Sequence, residues 1–346
     1  MDVELINSFD IADISETEYN LYAFVTENCN MKTHTKEKGM YIFITNPNAR
    51  SGLGGKVWSE VERILKDKEV SYQVYFTKYQ RHASRIVREI TSDGKEHTIV
   101  VLGGDGTVNE VLNGIEELSK VTLGYIPIGS SNDFARYFHH PYEPEKALAA
   151  ILTPKKYAMI NVGLLTYWEG ERKRRFAVSS GLGFDAGICH YAVVSKLKLL
   201  LNKLHLGKLT YVGIALAQML ALKPGRMTVS LDDGEPVSYE QVYFATAMNH
   251  PYEGGGFKFC PKADPGDDVM DVTVIAGIPK LKTLFLLPTA YKGWHTVFQG
   301  VYTYTCRKAV FESTKPLPVH TDGEPVFLQR RVAAALEPDK VRLIIG

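Results

Sequence analysis

Three glycines within four residues, Gly103, Gly104 and Gly106, enclose Asp105 and run straight into Thr107, Asn109 and Glu110. Glycine lets a backbone approach a bulky ligand closely, and here an apolar, strand-like run (His97–Leu102) comes before and a helical pattern after. Thr107 reads as a helix N-cap, with Glu110 three residues later completing a capping box. The unpaired amides and positive dipole end of such a helix form an anion site. Asp105 is a poor neighbour for a phosphate unless a cation lies between them, so the loop points to phosphate bound together with Mg²⁺. The plainer reading is a glycine-rich strand-to-helix turn. The company of Asp105, Thr107 and Asn109 weighs against it.

Two further turns carry polar groups of the same kind. In Pro127-Ile128-Gly129-Ser130-Ser131-Asn132-Asp133-Phe134, Gly129 and the two hydroxyls can donate to phosphate, and Asp133 can face an acceptor or a metal. Alternatively, Ser131 or Asn132 merely caps a helix. Asp322-Gly323-Glu324 is a tripeptide common in hairpins, and Asp233-Gly234-Glu235 reads as another such turn. Of the ten histidines, only His320 adjoins one of these turns. Ser51–Lys56 fails the P-loop pattern, because Arg50 replaces its first glycine and Val57 its magnesium-binding hydroxyl. No G-x-G-x-x-G follows the first strand, which argues against a dinucleotide-binding dehydrogenase.

The elements that must position these turns alternate. Tyr41–Thr45, Tyr72–Thr77, His97–Leu102 and Thr122–Ile128 read as strands. Between them fall helical patterns marked by Val57, Val61, Ile64 and Leu65, by Ala83, Ile86, Val87 and Ile90, and by Val108–Leu118. Such alternation calls for a parallel sheet covered by helices on both faces, with ligands outside the carboxyl ends of its strands. After about Asn161 short strand-like runs dominate: Ala177–Ser180, Met227–Leu231, Gln241–Ala247, Asp271–Ile275, Ala309–Glu312 and Val341–Ile345. A helical stretch, Lys196–Leu222, interrupts them, and Arg172–Arg175 reads as a hairpin flank in water. The expected chain is therefore α/β plus β. A peripheral extension (1–39) precedes a doubly wound parallel-sheet domain (40–160), and a mainly antiparallel β-sandwich domain (161–346) follows.

Bulk properties exclude several function classes. The 346 residues carry 40 Lys and Arg against 39 Asp and Glu, so no field favours nucleic acid. Cys29, Cys189, Cys260 and Cys306 are scattered without a C-x-x-C pair, which argues against zinc or a disulfide framework and fits a reducing compartment. The first thirty residues hold seven acidic and no basic residues, unlike a secretory signal. The longest apolar stretch, Leu209–Leu222, is interrupted and falls short of the roughly 20 residues a span needs.

The turn Gly103–Glu110 followed by Pro127–Phe134 resembles the diacylglycerol kinase catalytic-domain family of lipid kinases, related to NAD kinases and sphingosine kinases. The likeness is closest to the soluble bacterial branch and runs from about Met40 to the C-terminus. It implies transfer of the γ-phosphate of ATP to a lipid hydroxyl, with Glu324 as general base. It further implies that Asn46-Pro47 through Gly52 forms the first nucleotide loop, with a spacing longer than usual, and that Thr77 contacts nucleotide. Gly103, Gly104, Gly106, Thr107, Asn109, Ser130 and Asn132 would hold the phosphates. Asp105, with Asp133, would hold a catalytic Mg²⁺. Gly183-Phe184-Asp185-Ala186 matches a mark early in the β domain. Asp264 and Asp267, with the carbonyl of Val269, match a structural Mg²⁺ loop, and Asp268 stands where glycine is usual. Without the likeness, a solvated acidic loop is the alternative there, and oxygen-only ligands favour a hard ion over zinc.

The acceptor implied is a lipid alcohol, diacylglycerol by default, in a role in phospholipid biosynthesis. The implied location is cytoplasmic, transiently at the inner membrane surface, and homo-oligomerisation is left open. Lys196–Leu204 and Lys280–Leu287 mix leucine with lysine and could rest on an anionic membrane, although an ordinary helix with a basic edge reads as well. A soluble kinase of the NAD kinase type and a non-catalytic nucleotide-binding module are the competing functions.

Overall fold

A computed structural model describes residues 39–183, 186–187 and 223–345. The expected extension over 1–38, the helical stretch 196–222 with its Lys196–Leu204 segment, and Phe184-Asp185 lie outside the described residues. The chain runs β1 (Tyr41–Thr45), α1 (Ala49–Asp67), β2 (Tyr72–Phe76), α2 (His82–Thr91), β3 (His97–Gly103), α3 (Asp105–Gly114), β4 (Val121–Pro127), α4 (Asp133–Tyr137), α5 (Pro144–Leu152) and β5 (Tyr157–Ile160). It continues through β6 (Gly163–Tyr167), β7 (Arg172–Phe176), β8 (Ser179–Gly183), β9 (Gly225–Leu231), β10 (Val237–Met248), β11 (Tyr252–Glu253), β12 (Phe257–Lys258) and β13 (Met270–Ala276). The last elements are α6 (Lys280–Ala290), β14 (Val301–Cys306), β15 (Lys308–Thr321), β16 (Glu324–Leu336) and β17 (Val341–Ile344).

The first sheet has the order β2-β1-β3-β4-β17-β5. Its first five strands are parallel, and β5 is antiparallel to β17. Strands buried on both faces need apolar residues at successive positions, not alternate ones. Ile42, Ile44, Ile99 and Val101 pack with Ala83, Ile86, Val111 and Leu112 of α2 and α3. On the opposite face, Phe43, Val100 and Leu102 meet Val57, Trp58 and Val61 of α1 and Leu148 and Ile151 of α5. The helices thus cover both faces, as the alternation requires. The sequence reading placed Val341–Ile345 with the second domain. Instead β17 returns to the first sheet, with Val341 and Leu343 in one core layer and Ile344 in the other.

The second sheet is antiparallel, in the order β14-β13-β10-β8-β15-β16-β6-β7, and β9 lies beside β8 between β10 and β15. Alternate residues of its strands, among them Val272, Val274, Phe311, Val319 and Val332, build one core. Phe244 and Ile275 face the other way, against Leu286 and Ala290 of α6.

The expected capping box is not formed. Gly104 is the N-cap of α3, so Thr107 and Glu110 already lie inside the helix. Glu110 caps its neighbour instead, accepting from the backbone N–H of Arg81 and of Ala83 at the start of α2, at 2.8 and 3.1 Å. Burial raises its carboxyl pKa and these two donors oppose the shift. Glu110→Ala would orphan both amides, and a stability loss of about 1–2 kcal/mol is expected in urea unfolding.

Candidate active site

Hydrogen bonds bring the carboxyl ends of β1, β3 and β4 together. The N–H of Asn46 donates to Leu102 O, and that of Ile128 to Gly103 O. The turns after β3 and β4 touch through Gly104 and Gly129, where a Cβ on Gly129 would stand 2.6 Å from Gly104 Cα. No side chain fits that gap, so both turns bring bare backbone to one place. Asn46 Nδ2 donates to Thr107 Oγ1 at 3.4 Å. Thr77 is buried just beyond β2, with its N–H on Thr45 O. Gly52 ends a left-handed run through Arg50 and Ser51, with φ of 47°, 59° and 91°. Ser130 is exposed at the turn after β4, and Asn132 is buried in the left-handed region, its Nδ2 donating to Gly129 O.

Asp105 crosses between the two turns. Its carboxylate accepts from the N–H of Asp133 and of Phe134 at 3.1 and 3.2 Å. Burial, with the charge of Asp133 adding to it, pushes its pKa up to about 7. Burial also raises Asp133, whose carboxylate accepts from Gly255 N–H at 2.8 Å and meets Arg136 at 3.4 Å. Two buried carboxyls raised in this way favour a cation or a proton between them.

The second domain delivers Glu324 to the same place. A Cβ on Gly106 would lie 2.8 Å from Glu324 Oε1, so the carboxylate rests against the first turn of α3. Gln80 Nε2 donates to Glu324 Oε2 at 3.0 Å. Asp322 and Gly323 both have positive φ, 50° and 81°, and join β15 to β16 in a two-residue hairpin loop. His320 Nδ1 accepts from Gly323 N–H at 3.1 Å, so its Nε2 carries the proton that faces Glu253 Oε1 at 3.0 Å. The hairpin of β11 and β12 therefore reaches the Asp322–Glu324 turn through Glu253 and His320, and Asp133 through Gly255.

The expectation that Asn109 holds phosphate gives way to a different role. It is fully buried, its Nδ2 donates to Asp322 Oδ2 and Arg175 O, and its Oδ1 accepts from Arg174. With both ends of its amide engaged, it ties α3 to β7 and the Asp322–Glu324 turn. Nor is Arg172–Arg175 wholly a flank in water. Arg175 pairs with Glu337 at 2.6 Å and donates to Leu112 O and Ile115 O. Gln80 and Glu253 escaped sequence reading, as did the partners of Arg174, Arg175 and Asp322, because each acts through a residue distant in sequence. Asp233, by contrast, pairs with Lys308 in the turn between β9 and β10.

Asp264 and Asp267 share one exposed loop. Gly266 N–H donates to Asp264 Oδ1 and Val269 N–H to Asp267 Oδ1. Asp268 turns away, its Oδ1 held by Asn161 Nδ2 and by Lys340 at 2.9 Å. Among the described residues no three His, Cys, Asp or Glu side chains converge on a metal position. A cation in this loop would therefore rely on the free carboxylate oxygens, on carbonyls such as that of Val269, and on water. Such an all-oxygen set fits a hard ion.

His250 lies under α4 with no exposed surface, within 5.2–5.4 Å of the Phe134, Tyr137 and Phe138 rings, and neither ring nitrogen has a partner among the described residues. Burial lowers its pKa from 6.5 to about 3. The unfolded chain protonates first, so the stability contribution is full above pH 6.5 and is lost as the pH falls. His250→Phe should remove this loss. Between about pH 6.5 and 5 the variant should gain about 2 kcal/mol on the wild type in denaturant titrations. Asp105, raised by burial, pulls the other way in both proteins and cancels in the difference.

Residues 40–162 match the family described as diacylglycerol kinase catalytic domain, and residues 182–345 match the YegS C-terminal NAD kinase beta sandwich-like domain. The chain is 29% identical over 292 residues to the Bacillus subtilis protein YtlR, covering 82% of this chain and 93% of that one. It is 30% identical over 260 residues to a Chromohalobacter salexigens protein named "Probable lipid kinase YegS-like", covering 73% and 77%. A solved structure of a Bacillus anthracis diacylglycerol kinase superposes with a TM-score of 0.63 at 20% identity, covering 90% of this chain and 98% of that one, and so shares the fold.

Proposed function

The chain belongs to the diacylglycerol kinase catalytic-domain family, and from that premise we propose that it transfers the γ-phosphate of ATP to the hydroxyl of a lipid alcohol, diacylglycerol being the default acceptor. The observation that carries the reading is the contact of Glu324 with Gly106, which sets a carboxylate from the second domain against the phosphate-type turn of the first. In the proposed reaction Glu324 takes the proton of the acceptor hydroxyl. The oxygen forms a bond to the γ-phosphorus while the bond to the bridging oxygen breaks, and ADP leaves with that electron pair. Backbone amides at Gly103–Thr107 and the Ser130 hydroxyl face the phosphates, and Asn46, Gly52 and Thr77 border the nucleotide. Asp105 and Asp133 would hold a catalytic Mg²⁺, and Asp264, Asp267 and the Val269 carbonyl a structural one. When bound, the catalytic ion supplies neutralisation of phosphate charge.

A cavity of about 490 Å³ opens where the two domains meet, its wall combining Phe138, Tyr157, Met159 and Ile345 with the polar Lys156 and Asp264, and its apolar part can take an acyl chain. Among the described residues no helix is long and apolar enough to cross a membrane. The acceptor would accordingly be reached from the bilayer surface. The test is transfer of label from γ-labelled ATP, with Mg²⁺, to a panel of lipid alcohols in mixed micelles and, separately, to NAD. Label entering one lipid is the expected result. Label entering NAD alone, or ATP bound with no acceptor labelled, would overturn the proposal.

A further inference from the structure

Six large apolar side chains stand exposed within one short stretch: Leu281 and Phe285 on α6, Tyr291 beyond it, and Trp294, Val297 and Phe298 in the turn that follows. Leu281 and Phe285 are four residues apart, on the side of α6 away from its buried residues Leu286 and Ala290. The turn packs directly on the helix. Phe285 is 68% exposed, Trp294 66% and Val297 82%, values that a protein surface in water does not favour side by side. From Lys280 through Val301 the chain has three lysines and no Asp or Glu.

This apolar face runs into a cationic cavity. Tyr291 and Lys292, immediately after α6, help line a hollow of about 250 Å³ together with Arg136, His139, Tyr252 and Lys258, and among the described residues no carboxylate lines it. The Tyr252 ring packs against Arg136 at 5.8 Å and Lys258 at 5.2 Å, which holds both cations at the wall. Two lysines, an arginine and two phenols around a small hollow suit the oxygens of a phosphate ester. The apolar rim shows which source supplies it, because a free phosphate has no use for Phe285, Trp294 and Val297.

We propose that α6 and the turn after it dock on an anionic bilayer, with the phosphate of one lipid head group seated in the Arg136–Lys258–Lys292 hollow. The proposal rests on the lipid kinase reading only for its purpose, since docking needs neither ATP nor acceptor. It also orients the protein, because Arg136 touches Asp133, which is linked to Asp105. Docking there would hold the candidate active site one residue away from the head-group layer.

The experiment is flotation of the full chain, without ATP, on vesicles of phosphatidylglycerol with phosphatidylcholine and on vesicles of phosphatidylcholine alone. Strong binding to the anionic vesicles is expected. Lys258→Gln with Lys292→Gln should weaken it on the order of 10- to 30-fold, and Leu281→Asp with Phe285→Asp should weaken it on both compositions. Inorganic phosphate at millimolar concentration should not compete. Equal flotation on both compositions, unchanged flotation of either double variant, or displacement by inorganic phosphate would overturn the proposal. Transfer to a water-dispersed short-chain diacylglycerol separates the two readings. Variants that retain this transfer while losing vesicles support docking. A wild type that floats without transferring phosphate leaves docking standing and removes the kinase.

Discussion

Glu324→Gln is expected to lower kcat by roughly 10²- to 10⁴-fold, the range that removal of a positioned general base produces. Glutamine has the length of glutamate and can keep a contact to Gln80, so the site should retain its shape while losing the proton acceptor. The residue is half-buried, beside a hairpin loop whose geometry is set by Asp322 and Gly323. Folding should therefore be little affected. ATP affinity, measured by titration calorimetry, should stay within a few-fold, because the residues proposed to border the nucleotide, Asn46, Thr77 and the glycine turns, are unchanged. A large fall in kcat at unchanged ATP affinity fits an interaction needed only during transfer. If kcat stays within about tenfold of wild type, Glu324 is not the base, and its contact with Gly106 is only a domain contact.

Sequence spoke most clearly where local chemistry and periodicity agree. Strands β1 to β4 and the glycine turn at 103–106 could be read because strands buried on both faces are apolar at successive positions and bare backbone turns need glycine. The sequence reading set Glu324 beside the phosphate turn only through family resemblance, since no local pattern ties residue 324 to residue 106. Strand β17 was assigned to the wrong sheet for the same reason: four apolar residues show that a strand is buried, not which sheet receives it. Asn109 and Glu110 misled in an instructive way. Both sit next to a phosphate-type turn, yet one faces the second domain and the other the start of α2, because helix α3 begins three residues earlier than a Thr107 cap would require. Of the two long strands, β15 was seen only as Ala309–Glu312 and β16 not at all, since their exposed faces carry charged residues such as Glu312 and Arg331 and their pairing shifts register twice.

Asp322→Ala should cost more stability than any other single change discussed, about 3–5 kcal/mol in urea unfolding. The Asp322 carboxylate accepts four hydrogen bonds: Oδ2 from Asn109 Nδ2 and Ala177 N–H, both at 2.8 Å, and Oδ1 from Val178 N–H at 2.8 Å and Ser179 N–H at 3.0 Å. Alanine would leave all four donors without this acceptor, three of them backbone amides between β7 and β8 with no alternative side chain at hand. The loss would be a large fraction of the 5–15 kcal/mol that holds a typical domain together. Asp322→Asn should fall between, because one amide oxygen can keep part of the set while the NH₂ group confronts a backbone N–H. The same carboxylate joins α3 to the loop that carries Glu324, so a fall in phosphate transfer should accompany the loss of stability, at a temperature where both variants remain folded. A stability change below about 1 kcal/mol would show that water replaces the carboxylate freely. The two domains would then be joined at this point by Arg175, through its bonds to Leu112 O and Ile115 O, and the Asp-Gly-Glu turn would owe its position to the hairpin.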